Sequence, residues 1–322
     1  MLATALGVLL TALAYPLAGT FLLACAVQLL GGLFRGTSWV ATQSYAVRFA
    51  RSAERQRFLG RFSFFGSIGM LAAPLLAGWL VETSGLTAGF LSMAAWGAAL
   101  WVIGWLLPAQ PMNSGAGNRT LWRITIDAYR ETLPTLLRPA IALIMGFTLL
   151  RLSAAAINAS FYPVYLDAID YSALMIGALL AVINATVSLG SLAAARLSDA
   201  VGTARLLWLS IALSVVSIAL VPVFESPVML VSLSALHGFG LGLSLPTLLS
   251  EIGRHTVPQE RGLVIGLRML FNRAGYMLVP VVLGLLTAQA GLTAAFLVTG
   301  GVLLASLAVT GLFMGALAPP RD

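Results

Sequence analysis

The chain is written in long apolar runs separated by short polar breaks. Ten runs stand out, at about 1–15, 19–46, 62–82, 86–107, 139–166, 172–195, 205–224, 227–250, 263–287 and 292–316. A helix of roughly 20 apolar residues crosses the ~30 Å hydrocarbon layer of a bilayer. The pattern therefore predicts an all-α membrane protein with ten transmembrane helices. One break is long. It divides the chain into 1–107 with four spans, a connection at 108–137, and 138–322 with six spans. Within that connection a Gly/Asn stretch leads into "LWRITIDAYRETLPTLLR", which reads as an amphipathic helix lying along the membrane surface.

Charge sorts the breaks into two sets. Arg48, Arg51, Arg55, Arg57 and Arg61 surround the second-to-third connection, and Arg119, Arg123, Arg130 and Arg138 occupy the long one. Arg196 and Arg205 flank the sixth-to-seventh, Arg254, Arg261 and Arg268 the eighth-to-ninth, and Arg321 is at the end. The alternate breaks hold Glu82, Asp167, Asp170 and Glu225 and no arginine. Basic loops stay in the cytoplasm, so both termini are expected there, in a bacterial-type inner membrane.

Composition agrees with the pattern. Of 322 residues 59% are hydrophobic and 9% charged, and the mean hydropathy is +0.96. A soluble domain has about 25% charged residues. All 18 basic residues are Arg and the net charge is +7, but their place in inter-span loops assigns them to the membrane surface, not to nucleic acid. The single cysteine, Cys25, excludes an intrachain disulfide or a Cys-based zinc site. Residues 1–14 are apolar without a basic stretch before them, so no cleavable signal peptide is expected.

A repeat underlies the runs. "SGLTAGFL" at Ser84–Leu91 returns as "AGLTAAFL" at Ala290–Leu297, 206 positions later. In that register Pro16 falls on Pro222, Gly32 on Gly238, Gly36 on Gly242, Arg48 on Arg254 and Glu54 on Glu260. Gly69 falls on Gly275, Pro74 on Pro280, Gly78 on Gly284 and Gly85 on Gly291. The repeated units share one orientation, as parallel repeats do. The first holds four spans where the second holds six, so roughly 68 residues are expected to be missing from it (138 − 206 = −68).

Two parallel bundles joined by a long cytoplasmic loop resemble the major facilitator superfamily, over the whole chain, as its helices three to twelve. "ARLSDAVGTAR" at Ala195–Arg205 resembles the family's loop motif through Asp199 and Gly202, with Arg205 near its basic end. "GMLAAPLLAG" at Gly69–Gly78 resembles the Gly/Pro motif of proton-coupled exporters, with alanine at two glycine positions. The usual fourth-helix arginine aligns with Gln28, so its proton-coupling role does not transfer. The resemblance implies two bundles rocking about a mid-membrane site, with Asp199, Gly202 and Arg205 as a conformational latch. A solvated helix-end Asp199 is the alternative. Gly69, Pro74, Gly78, Gly275, Pro280 and Gly284 are expected to serve helix packing.

Ionisable groups at mid-depth in a membrane are costly and usually face a cavity. Arg35, Arg151, His237 and Arg273 lie near mid-span. The register puts His237 on position 31, one turn from Arg35. The resemblance turns the helices of Arg35, Arg151 and His237 toward the central cavity and puts Arg273 on its flank. Asn158, Tyr162, Tyr165, Asn184 and Asn272 are further hydrogen-bonding candidates, the tyrosines alternatively forming an aromatic belt. Glu251 sits near the cytoplasmic end of its span, and no acid lies at mid-depth. Guanidinium pairs bidentately with carboxylate or phosphate, so the arginines suit an anion. Alternatively, acids in absent helices neutralise them. "HGFGLG" at His237–Gly242 lacks the spacing and preceding strand of a nucleotide loop.

No motif for catalysis, metal or cofactor is present. The sequence reads as a secondary transporter of a small molecule, with an organic anion as the candidate substrate and a proton or other ion gradient as the driving force. The alternatives are a proton-coupled drug exporter and an inactive product of a truncated gene or misassigned start.

Overall fold

A computed structural model describes residues 2–49, 55–106, 137–257 and 260–317. The amphipathic helix expected before Arg138 falls outside the described residues, except for Leu137 and Arg138. The described chain is helical: α1 (Leu2–Ala14), α2 (Phe21–Phe49), α3 (Arg55–Leu106), α4 (Pro139–Ala168), α5 (Ala173–Val201), α6 (Thr203–Ala219), α7 (Pro227–His255), α8 (Arg261–Ala290) and α9 (Leu292–Leu312). Among the described residues eight helices are long and apolar enough to cross a membrane, and Leu2–Leu17 is a shorter apolar helix. The ten expected spans included that short helix and divided 62–107 into two. In the structure that region, labelled α3, consists of two helices that meet at Gly85, whose backbone angles are not helical.

The repeat is written into the backbone. Both ends of α7 lie 206 positions after those of α2, and the 3-10 turn Val221–Val223 lies 206 after the turn Tyr15–Leu17. Gly85 has φ 81° and ψ 169°, and Gly291 has φ 84° and ψ 166°. Only glycine enters that region without strain. The repeated phrase is therefore a helix break, and the helix after it ends at Leu106 in one copy and Leu312 in the other.

Many hydroxyls within the helices are spent on the helix's own carbonyls. Thr148 donates to Ile144 O (2.9 Å), Thr186 to Val182 O (2.9 Å) and Ser217 to Leu213 O (2.7 Å). In a solvent that offers no hydrogen bonds, this leaves an apolar exterior. Leu29, Trp96, Met277 and Leu312 are among the large exposed side chains, suited to lipid contact.

The described residues form two compact units. The first contains α1, α2, α3 and the start of α5, Ser172–Ala178. Here α1 packs on α2 and α3. Glu82 of α3 accepts the Leu174 backbone N–H at 2.8 Å. Gly78 and Pro74 meet α5 at Ala173, Leu174 and Gly177, whereas a Cβ added at Gly69 would meet nothing within 4 Å.

The second unit contains α4, the rest of α5 from Leu179, and α6–α9. In it α4 is enclosed by its neighbours, with Ile141, Ile144, Phe147, Leu152, Ala154 and Leu166 fully buried. Small residues bring α7 close to α5 and α6. A Cβ on Gly238 or Gly242 would collide with the carbonyl oxygens of Ile183 and Val187 on α5, and one on Gly240 would lie 2.9 Å from the Ser214 nitrogen of α6. "HGFGLG" is thus a small-xxx-small packing seam. Farther along, Gly275 and Gly284 of α8, either side of Pro280, face Leu152 and Phe161 of α4.

Candidate functional site: arginines within the second unit

Polar groups of the second unit gather on α4, α7 and α8. Arg151 of α4 donates its Nε to the Ser244 hydroxyl of α7 at 2.8 Å. That hydroxyl donates in turn to Leu241 O at 2.7 Å. Tying down Nε fixes the plane of the guanidinium and leaves its two terminal nitrogens as a fork. Arg268 and Tyr276 of α8, and His237 of α7, are close enough for electrostatic interaction with Arg151.

Along α8, Arg268, Met269, Asn272, Arg273 and Tyr276 line a cavity of about 350 Å³. Their spacing of i, i+1, i+4, i+5 and i+8 places them on one helix face. Arg268 is 9% exposed, and its Nε is buried without a hydrogen-bond partner. Arg273 and Tyr276 are exposed. Among the described residues no carboxylate lies within ion-pair distance of Arg151, Arg268 or Arg273. Buried cationic groups normally have such a partner.

The other expected positions divide. His237 is 1% exposed, with Nδ1 3.0 Å from both the hydroxyl and the carbonyl oxygen of Ser214 and with Nε2 unpartnered. It lines a narrow crevice with Tyr162, Ser217 and Ser234. Tyr162 bonds to Ser234 Oγ at 2.7 Å, and the ring centroids of Tyr165 and Phe296 are 5.4 Å apart. Both tyrosines are core residues, which excludes them from an outer belt. Asn158 lies two turns beyond Arg151 on α4, with a buried, unpartnered Oδ1. Asn184 donates to Leu180 O at 3.1 Å.

In the first unit Arg35 lies 3.5 Å from the Tyr15 hydroxyl and from Gln28 Oε1, which bond to each other. The Tyr15 ring stacks on Phe90 at 5.1 Å.

Asp199 and Arg205 are exposed, and between them Gly202 (φ 86°) separates α5 from α6. Glu251 is 1% exposed, 3.4 Å from His255 and 3.7 Å from Arg254.

The profile of the Major Facilitator Superfamily matches residues 1–149 and again 143–322. The chain belongs to the Major Facilitator Superfamily. Solved structures of similar fold include a mutant of the nucleoside transporter NupG, at 17% identity and TM-score 0.76, covering 98% of this chain and 82% of that one. A bacterial homologue of the human lysosomal transporter Spinster is similar in its inward-facing, unoccupied form, at 12% identity and TM-score 0.77 with the same coverage. Its occupied form gives 13% and 0.66, covering 98% and 78%. No curated protein matches the sequence significantly. This member of the superfamily is an integral membrane protein and a transporter of small molecules, not an enzyme.

Sequence reasoning missed Arg268, Ser244 and Tyr276. By its place in the sequence Arg268 flanks a loop, five residues into a span expected from 263. The available signal was its spacing of four from Asn272 and five from Arg273. Ser244 carried none, because its partner Arg151 is 93 residues away.

Proposed function

We propose that this transporter moves an organic anion, held by Arg151, Arg268 and Arg273 with Asn272 and Tyr276 beside them. The observation carrying the reading is Arg268: a guanidinium that is nine-tenths buried, lines a cavity and meets no carboxylate among the described residues. An acidic substrate would supply the absent counter-charge. Asn158 and Asn184 are secondary candidates for hydrogen bonding. Arg35 is a candidate contact from the first unit on its depth in the sequence. His237, enclosed and bonded to Ser214, supports the α6–α7 packing behind Arg151. In this reading transport proceeds by alternating access, driven by a proton or other ion gradient, with Asp199, Gly202 and Arg205 acting as the latch.

The test is ligand binding by Arg151→Gln and Arg268→Gln variants, normalised to folded protein and measured over a panel of organic anions and cations. Losing one charge-assisted hydrogen-bonding partner costs about 1.5–3 kcal/mol, or roughly 10- to 150-fold in affinity. Ser244→Ala, which frees Arg151 without removing its charge, should lose less. Unchanged affinity in both arginine variants, or a preference of the unmodified protein for cations, would overturn the reading in favour of a drug exporter.

Orientation follows from the arginine-bearing breaks. Cysteines placed at Glu82, Asp170 and Glu225 should react with an impermeant label on intact cells, and those at Arg57, Arg123 and Arg261 should not. The opposite pattern would reverse the topology.

A further inference from the structure

We infer that the transported anion carries two acidic groups separated by a short spacer. This rests on the anion reading above and adds the number and spacing of its charges. Arg268 and Arg273 line the same cavity. Five residues of helix separate their backbones by about 7.5 Å along α8, so their heads reach different parts of that cavity. One carboxylate occupies one guanidinium, because the bidentate fork matches a single acid group. A singly charged substrate would therefore engage only one of the two arginines, and a second acid group is needed to engage both. The described residues do not fill the gap, since their ion pairs join Arg138 to Glu260 and Glu251 to Arg254 and His255.

Between the two arginines, Asn272 offers an amide that can accept as well as donate, suited to a polar spacer.

The experiment is thermal unfolding and calorimetric titration of the purified full chain with succinate, glutarate and adipate. Butyrate and hexanoate serve as singly charged controls, and inorganic phosphate as a compact multivalent one. The expected result is that at least one dicarboxylate binds tenfold or more tighter than either monocarboxylate and than phosphate. Arg273→Gln, at an exposed position that tolerates exchange, should bring that dicarboxylate down to the level of the monocarboxylates while the folded yield is unchanged. Arg268→Lys, which keeps the charge, should retain part of the preference.

Equal binding of mono- and dicarboxylates, or a preference that survives in Arg273→Gln, overturns the two-charge inference and leaves the anion reading standing. Phosphate binding as tightly as the best dicarboxylate overturns the spacing. No binding by any of these anions overturns both the inference and the anion reading.

Discussion

Gly242→Ala should destabilise this transporter, although alanine is the better helix former. The added Cβ would collide with the Val187 carbonyl oxygen and lie 2.8 Å and 2.9 Å from the carbonyl carbon and Cα of Val187. All three are backbone atoms of α5, so no rotamer change relieves the overlap. Ordinary contact begins near 3.4 Å, so the two helices must part by more than half an ångström. Overpacking costs about 1–3 kcal/mol, and a backbone-on-backbone clash belongs at the upper end. The shift also endangers the 3.1 Å bond from Ser191 Oγ to Gly242 O, a class worth about 0.6 kcal/mol in membranes. Helix propensity returns about 1 kcal/mol. The net loss is roughly 2–3 kcal/mol.

Gly36 occupies the same place in the repeat and meets nothing within 4 Å. Gly36→Ala should therefore be neutral or gain up to ~1 kcal/mol. The assay is reversible unfolding by denaturant in mixed micelles for the two variants and the unmodified chain. Gly242→Ala also displaces Ser244, two residues on, so anion binding should weaken with stability. Equal stability of the two variants would refute the close-packing argument.

Gly85→Ala and Gly291→Ala should each cost about 1–3 kcal/mol, because both force an L-residue into a glycine-only conformation, and the same unfolding assay reads them. A neutral result at both would mean the break between the flanking helices is not required. At the membrane surface Arg138 donates from Nη1 to Glu260 Oε2 (2.7 Å) and from Nη2 to Oε1 (2.9 Å). These bonds hold the Glu260 carboxyl below its ordinary range. A lowered carboxylate stabilises fully above its unfolded pKa of ~4.3 and loses that contribution as pH falls through the lower folded value. The stability difference between the unmodified chain and Glu260→Gln should thus be constant near neutral pH and shrink in acid. A difference that grows in acid would refute the assignment.

What depends on local chemistry is legible in the amino-acid sequence alone. Apolar run length follows from the thickness of the bilayer, so the helical, membrane-embedded class and most span positions were legible. Glycine and proline act on their own backbone, so the 206-residue register read in the sequence returns in the structure as paired 3-10 turns and paired helix breaks. The same register led to the superfamily.

Tertiary structure decided what depends on a neighbour's height and distance. Gly36 and Gly242 are equivalent as letters, but only Gly242 has the backbone of α5 against it. Arg268 and Arg273 look alike in sequence, but enclosure by the second unit buries only the first. Arg151 is oriented by a serine 93 residues away, and His237, read as a cavity residue, is closed in against Ser214. In a membrane helix nearly every surface is apolar, so residue type alone does not say which face meets lipid, which meets a helix and which meets a cavity. That choice is made by close packing and by the need of each buried polar group for a partner.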